Sequence, residues 1–137
     1  MSARATAPGT WDRLISAVSR DAGLRLVTTV EVSRTASEPP GAVLDALVGA
    51  AREALRNVAR HAGVDEAEVV INRQADDLVA LVVDRGRGFD PEQVPDDRLG
   101  LAESVRGRIQ DLGGSVTLWS RPGAGTTVML TVPVPAT

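Results

Sequence analysis

The chain has 137 residues, 43% of them hydrophobic, with 18 acidic against 15 basic side chains and a formal charge of −3. Every basic residue is Arg, there is no Cys, and His61 is the single histidine. These counts exclude a Walker A phosphate loop, a Lys bridging ATP phosphates, a Schiff-base nucleophile, thiol catalysis, disulfides, and any two-His or thiolate metal site built within one chain.

The length suits one domain able to bury roughly two-thirds of its unfolded surface. With only Trp11, Phe89 and Trp119 as aromatics, the core must be aliphatic. The longest apolar runs, such as residues 78–83, fall short of the roughly 18 residues a membrane helix needs, and residues 1–10 lack a signal-peptide core. A cytoplasmic location with no membrane contact by this segment is therefore the expectation. Mild acidity and the shortage of aromatics for base stacking argue against nucleic acid as a partner.

In chain order, residues 1–10 (MSARATAPGT) are small and polar, a disordered lead-in to one domain over residues 11–137. Residues 11–22 carry Trp11, Leu14, Ile15 and Val18 in helical spacing, and Gly23 stops them. Residues 24–32 switch to period two, a half-buried strand. A polar connector with Pro39 and Pro40 leads to the longest helical signal, residues 42–62, with a buried stripe of Leu44, Leu47, Val48, Ala51, Leu55 and Val58. Residues 68–73 and 78–83 read as a hairpin at the centre of a sheet. Residues 84–99 form a loop longer than ordinary connections, a length that belongs to functional lids. Leu101, Val105, Ile109 and Leu112 restore a helical stripe ending at Gly113 and Gly114, and residues 115–120 and 126–134 read as two last strands. The order α-β-α-β-β-α-β-β predicts an α+β fold: a two-layer sandwich with a mixed, mostly antiparallel sheet and the helices on one face.

Four features carry candidate chemistry. The polar side of the long helix holds Glu53 and Asn57 one turn apart, with Arg56, Arg60 and His61 beside them. Taken alone this is a solvated face laced by Glu–Arg pairs, yet Asn is a poor mid-helix residue unless its amide is used. Asp84-Arg85-Gly86-Arg87-Gly88-Phe89 directly follows an apolar strand. A carboxylate at a buried strand end accepts hydrogen bonds and donates none, and glycines let backbone approach a flat ligand, which suits a heteroaromatic amine. The alternative is a Gly-rich turn with an Asp cap. Gly100 and Leu101 open a helix whose free N–H groups can receive an anion. Finally, Gly123-Ala124-Gly125 precedes the hydroxyls of Thr126 and Thr127, a pattern that in isolation is a plain hairpin.

In this order and spacing the pieces resemble the GHKL ATPases with the Bergerat ATP-binding fold, and above all the catalytic domain of short-lid bacterial sensor histidine kinases. EALRNVARHA (residues 53–62) is similar to the N box of that family, DRGRGF (84–89) to its G1 box, LGLAESVRGRIQDLGG (99–114) to its G2 region and GAGTT (123–127) to its final Gly-Thr box. The resemblance covers the chain from about Trp11 onward, and four boxes in register are far more specific than one.

The resemblance implies ATP and Mg²⁺ as cofactors. Asn57 would give its amide oxygen to Mg²⁺, a hard cation that otherwise takes phosphate oxygens and waters. Asp84 would accept from the adenine amine, with Gly86 and Gly88 giving the ring room. Gly100, Leu101, Arg60, Thr126 and Thr127 would line the nucleotide and its phosphates, with residues 87–98 as the lid. Glu53 stands where hydrolysing members carry a water-activating base and kinases a carboxylate. His61 would be a pocket residue rather than the phosphoacceptor, so the phosphorylated His would belong to a dimerisation segment of the same kinase, and through it to a response regulator. The isolated chain would then be a histidine kinase catalytic domain inactive on its own. The sequence departs from the family pattern at Arg85, usually Asn, and at Arg98, where many members carry another Gly; both bear on nucleotide affinity. Two other activities remain open at this stage: a stand-alone GHKL switch of the anti-sigma type that phosphorylates Ser or Thr, and a gyrase- or chaperone-type hydrolase using Glu53 as base.

Overall fold

In the computed structural model, the residues described are 25–31, 41–73, 76–90 and 103–134. The expected lead-in, the helix at 11–22, Gly100, Leu101 and most of the long loop lie outside them. The elements are β1 (Arg25–Glu31), α1 (Gly41–Asn57), a π-helical turn (Val58–Ala62), β2 (Glu66–Arg73), β3 (Asp77–Asp84), α2 (Glu103–Asp111), β4 (Ser115–Arg121) and β5 (Gly125–Pro133).

The five strands form one sheet in the order β1-β2-β3-β5-β4. β1 runs parallel to β2 and the other three pairings are antiparallel, giving the mixed, mostly antiparallel α+β sheet expected. The parallel pair requires a crossover, which α1 supplies.

Strand parity builds the core. Along β3, Leu78, Ala80, Val82 and Asp84 are buried, alternating with half-buried residues. The register aligns Leu78, Ala80 and Val82 with Val132, Leu130 and Val128 of β5, and aligns Ala80 and Val82 with Ile71 and Val69 of β2. These residues join α1 and Ile109 of α2 in a single buried cluster, so among the described residues both helices cover the same face.

The stripe of α1 differs from its expectation. Val43, Ala46, Leu47, Ala50, Ala54 and Leu55 are buried, whereas Leu44, Val48 and Ala51 are only partly so. The spacing Ala46, Ala50, Ala54 explains the rotation: small side chains at i, i+4 and i+8 let the helix axis approach the sheet, and the bulkier residues flank the contact. The expected helix at 42–62 is also not uniform, because its last turn widens from α to π after Asn57. Gly63 then ends it in the left-handed conformation, φ 76°, which Gly adopts without a Cβ penalty.

α2 ends as its sequence predicts. Gly113 N–H donates to Gln110 O at 2.9 Å and Gly114 N–H to Ile109 O at 2.9 Å, with Gly113 at φ 81°. This Schellman pair satisfies two terminal carbonyls and turns the chain into β4. No helix among the described residues is long and apolar enough to cross a membrane.

Candidate functional site

The cleft lies where the C-terminal end of α1 and the π-helical turn meet the ends of β3, β4 and β5. Its floor is apolar, made by Ala54, Val58, Ala62, Val82, Leu118 and Val128, with Phe89 at one side, and its volume is ≈ 180 Å³. Polar groups enter from three directions: Asn57, Arg60 and His61 from the helix end, Asp84 and Thr126 from the strands, and Arg87 with Gly88 from the loop after β3.

Asp84 is the buried acid of the site, 6% exposed. It continues the inward series of β3, so strand parity places its carboxylate on the helix side, at the edge of the core. Burial pushes its carboxyl up from the ordinary 3.8, opposed by hydrogen bonds from the backbone N–H groups of Gly86 and Thr126. The Gly86 N–H to Oδ1 distance is 2.9 Å. An ionised carboxylate has about four acceptor positions, so two backbone donors leave capacity for a donor entering the cleft.

The loop after β3 is held at both edges. Arg87 N–H donates to Ala62 O at 2.8 Å, satisfying a carbonyl at the helix end, while Gly123 N–H donates to Arg87 O at 2.7 Å. Phe89 N–H donates to Ser120 Oγ at 2.9 Å. Gly88 has φ 61°, and a Cβ there would collide with the Arg121 carbonyl oxygen. Gly86 has a different role from a cleft glycine: it does not line the cleft, and its missing Cβ lets the loop press against Ala62 O.

Asn57 is the last residue of α1. Its amide nitrogen donates to the Glu53 carbonyl at 3.1 Å, which orients the side chain. Glu53 lies outside the cleft lining and its carboxylate meets Arg56 at 3.5 Å, a surface pair of small energetic weight. Arg60 and His61 are exposed at the mouth. Thr126 lines the cleft, but Thr127 does not. Successive strand residues point to opposite faces, and Thr127 pairs with Val83 and Trp119 in the row facing away from the helices. Arg87 and Phe89 enter the sequence reading only as members of the DRGRGF motif, and Ser120 and the apolar floor are not singled out there; the one signal for Ser120 is its place across the last turn from Thr126.

The sequence pattern of the family described as histidine kinase-, DNA gyrase B-, and HSP90-like ATPases matches residues 42–136. The chain belongs to this family. As a histidine kinase-like ATPase domain it is 30% identical over 89 residues to the signal transduction histidine-protein kinase/phosphatase DegS of Brevibacillus brevis, covering 65% of this chain and 23% of that protein. It is 34% identical over 92 residues to the sensor histidine kinase LiaS of Bacillus subtilis, covering 67% of this chain and 25% of LiaS. The chain thus spans about a quarter of the length of these curated relatives. Its fold is similar to the histidine kinase domain of the Erythrobacter litoralis blue-light activated histidine kinase, with TM-score 0.68 and 19% identity over 90% of this chain and 58% of that one. Against a longer chain of that kinase the TM-score is 0.70, at 19% identity over 90% of this chain and 40% of the other. The α+β expectation and the family resemblance both hold.

Proposed function

We propose that this ATPase domain is the Mg-ATP-binding catalytic unit of a two-component sensor histidine kinase, donating the γ-phosphoryl group to a His on a dimerisation segment, from which it passes to a response regulator. The observation that carries this reading is the polarity of the cleft: a buried acceptor at an apolar floor, with cationic side chains at its mouth. A flat ring bearing an exocyclic amine fits the floor, and a polyphosphate fits the mouth. ATP is made and kept in the cytoplasm, and we place the domain there.

In this reading Asp84 accepts from the adenine amine while Val58, Ala62, Val82 and Val128 exclude water from the ring. Arg60 and Arg87 offset the charge of the triphosphate, with His61 beside them at the mouth. The amide oxygen of Asn57, held by the hydrogen bond to Glu53, fits a hard cation. When bound, Mg²⁺ neutralises charge on the transferring phosphoryl group. Glu53 acts through Asn57, one turn away, by way of its main-chain carbonyl, while its carboxylate is held by Arg56. By the family resemblance, Gly100 and Leu101 would complete the phosphate cradle and residues 87–98 would be the lid. Phosphoryl transfer needs mainly alignment and charge neutralisation, so such a cleft is a sufficient donor half-site.

Calorimetric titration tests this. The chain should bind ATP in a Mg²⁺-dependent way, and Asn57→Ala should remove most of that Mg²⁺ dependence. Incubated alone with labelled ATP it should acquire no phosphohistidine, and it should phosphorylate a His-bearing dimerisation segment supplied in trans. Absence of ATP binding by the parent chain, or identical metal dependence in Asn57→Ala, refutes the reading.

A further inference from the structure

Asp84, Thr126 and Ser120 form one cross-strand row. Asp84 pairs with Thr126 across β3 and β5, and Thr126 with Ser120 across β5 and β4. Asp84 and Thr126 line the cleft, whereas Ser120, one strand further out, does not. What Ser120 reaches is the loop after β3: its Oγ accepts the Phe89 N–H at 2.9 Å, and Phe89 is one side of the cleft.

The β4–β5 hairpin holds this loop by two kinds of bond. At Arg87 the bond is between backbone groups, the Gly123 N–H donating to the Arg87 carbonyl at 2.7 Å. At Phe89, just past the left-handed turn of Gly88 (φ 61°), it is made by a side chain and exists only while residue 120 carries an acceptor. Ser120 Oγ also lies 3.1 Å from the Gly125 carbonyl and 2.8 Å from Thr126 Oγ1. A serine hydroxyl has one proton and two lone pairs. Whether that proton goes to Gly125 O or to Thr126 Oγ1, a lone pair remains for the Phe89 N–H, so the bond to the loop is independent of that choice. The ladder of β4 and β5, with Ser120 opposite Thr126, is made by backbone groups and does not need the hydroxyl.

We propose that Ser120 is a positioning residue for nucleotide binding: its hydroxyl fixes the Phe89 backbone and so holds the Phe89 side of the cleft in place before a ligand enters. This inference rests on the nucleotide-binding reading above and concerns the same cleft. A pocket side that is already ordered costs a ligand less than one it must order on arrival. Without the hydroxyl the Phe89 N–H turns to water, the chain beyond Gly88 gains freedom, and part of the binding free energy goes into restoring it.

Two measurements on the whole chain test this. In amide hydrogen exchange followed by NMR without nucleotide, the Phe89 amide should be protected in the parent and lose about tenfold of that protection in Ser120→Ala, while the amides of the β4–β5 ladder keep theirs. In calorimetry with Mg-ATP, Ser120→Ala should weaken binding by about threefold to tenfold, the range of one net hydrogen bond. In a Phe89→Ala background the same substitution should change affinity by less than about twofold, because the ring that Ser120 positions is gone; a general loosening of the structure gives the same factor in both backgrounds. If thermal melting shows that Ser120→Ala does not fold, Ser120→Cys takes its place in both measurements, since a thiol is a weak hydrogen-bonding group of similar size. Unchanged protection at Phe89, an ATP affinity indifferent to the substitution, or equal losses in both backgrounds overturns the proposal and leaves the ATP reading standing. A parent chain that protects the Phe89 amide but binds no nucleotide overturns the ATP reading and, with it, the binding role of Ser120.

Discussion

Asp84 carries two opposed requirements. Its carboxylate is kept at the edge of a hydrophobic core, where burial raises its pKa above 3.8. Between the ordinary and the raised value the folded chain binds more protons than the unfolded one, so this group's contribution to stability is lost as pH rises through that window. Nucleotide binding runs the other way, because a protonated carboxyl loses acceptor capacity as pH falls. Urea titrations of the parent and Asp84→Asn across this range should show the parent losing stability relative to the variant as pH rises from about 4 toward neutral. Asp84→Asn should nevertheless bind ATP roughly tenfold to a hundredfold more weakly, the loss expected for one hydrogen bond to a charged group. Stability tuned one way and binding the other is the signature expected of a functional carboxylate rather than a turn cap.

At the level of elements, the last hairpin separates two kinds of glycine. Gly123 and Gly125 both take positive φ, 80° and 82°, but a Cβ on Gly123 meets open space while one on Gly125 collides with the Asp84 carbonyl oxygen. Gly123→Ala should therefore cost only the left-handed backbone penalty, about 1 to 2 kcal/mol. Gly125→Ala should exceed about 3 kcal/mol by chemical denaturation and should displace Asp84, weakening nucleotide binding as well. Leu55, fully buried on α1, sets a reference for core damage: Leu55→Ala should cost about 2 to 5 kcal/mol without altering the cleft's preference among nucleotides. The boundaries of β3, β4 and β5 and the Gly113 stop of α2 were legible in sequence because parity and turn glycines encode them locally. The face of α1 was misplaced because counting large residues overlooks Ala46, Ala50 and Ala54, whose value lies in being small against a sheet. The π-helical turn had no local mark. Thr126 and Thr127 could not be told apart until strand register fixed which of them points to the helix side, and Ser120 became visible only when β4 was seen beside β5.

At the scale of the whole molecule, α1 and α2 pack on one face of a sheet whose middle strand, β3, is paired on one side with its hairpin neighbour β2 and on the other with β5, more than forty residues later in sequence. A ligand that binds only the folded form should stabilise it by about 2.7 kcal/mol at a hundredfold excess over Kd, and a melting curve with Mg-ATP reads this directly. The route by which the cleft comes together follows from the same topology. Its polar row spans β3, β5 and β4, and the bond from Phe89 to Ser120 joins residues 31 apart in sequence. No segment shorter than residues 84–126 contains this wall. β2 and β3 can pair early through a short turn, but the wall waits for β5 to slot between β3 and β4, a non-local closure of the kind that slows folding. In a stopped-flow refolding experiment, a fluorescent nucleotide should be captured only in the slowest phase, after helical signal has recovered. During synthesis, the same ordering means that a nascent chain cannot sequester ATP until β5 has emerged, so the strands before it cannot arm the donor on their own.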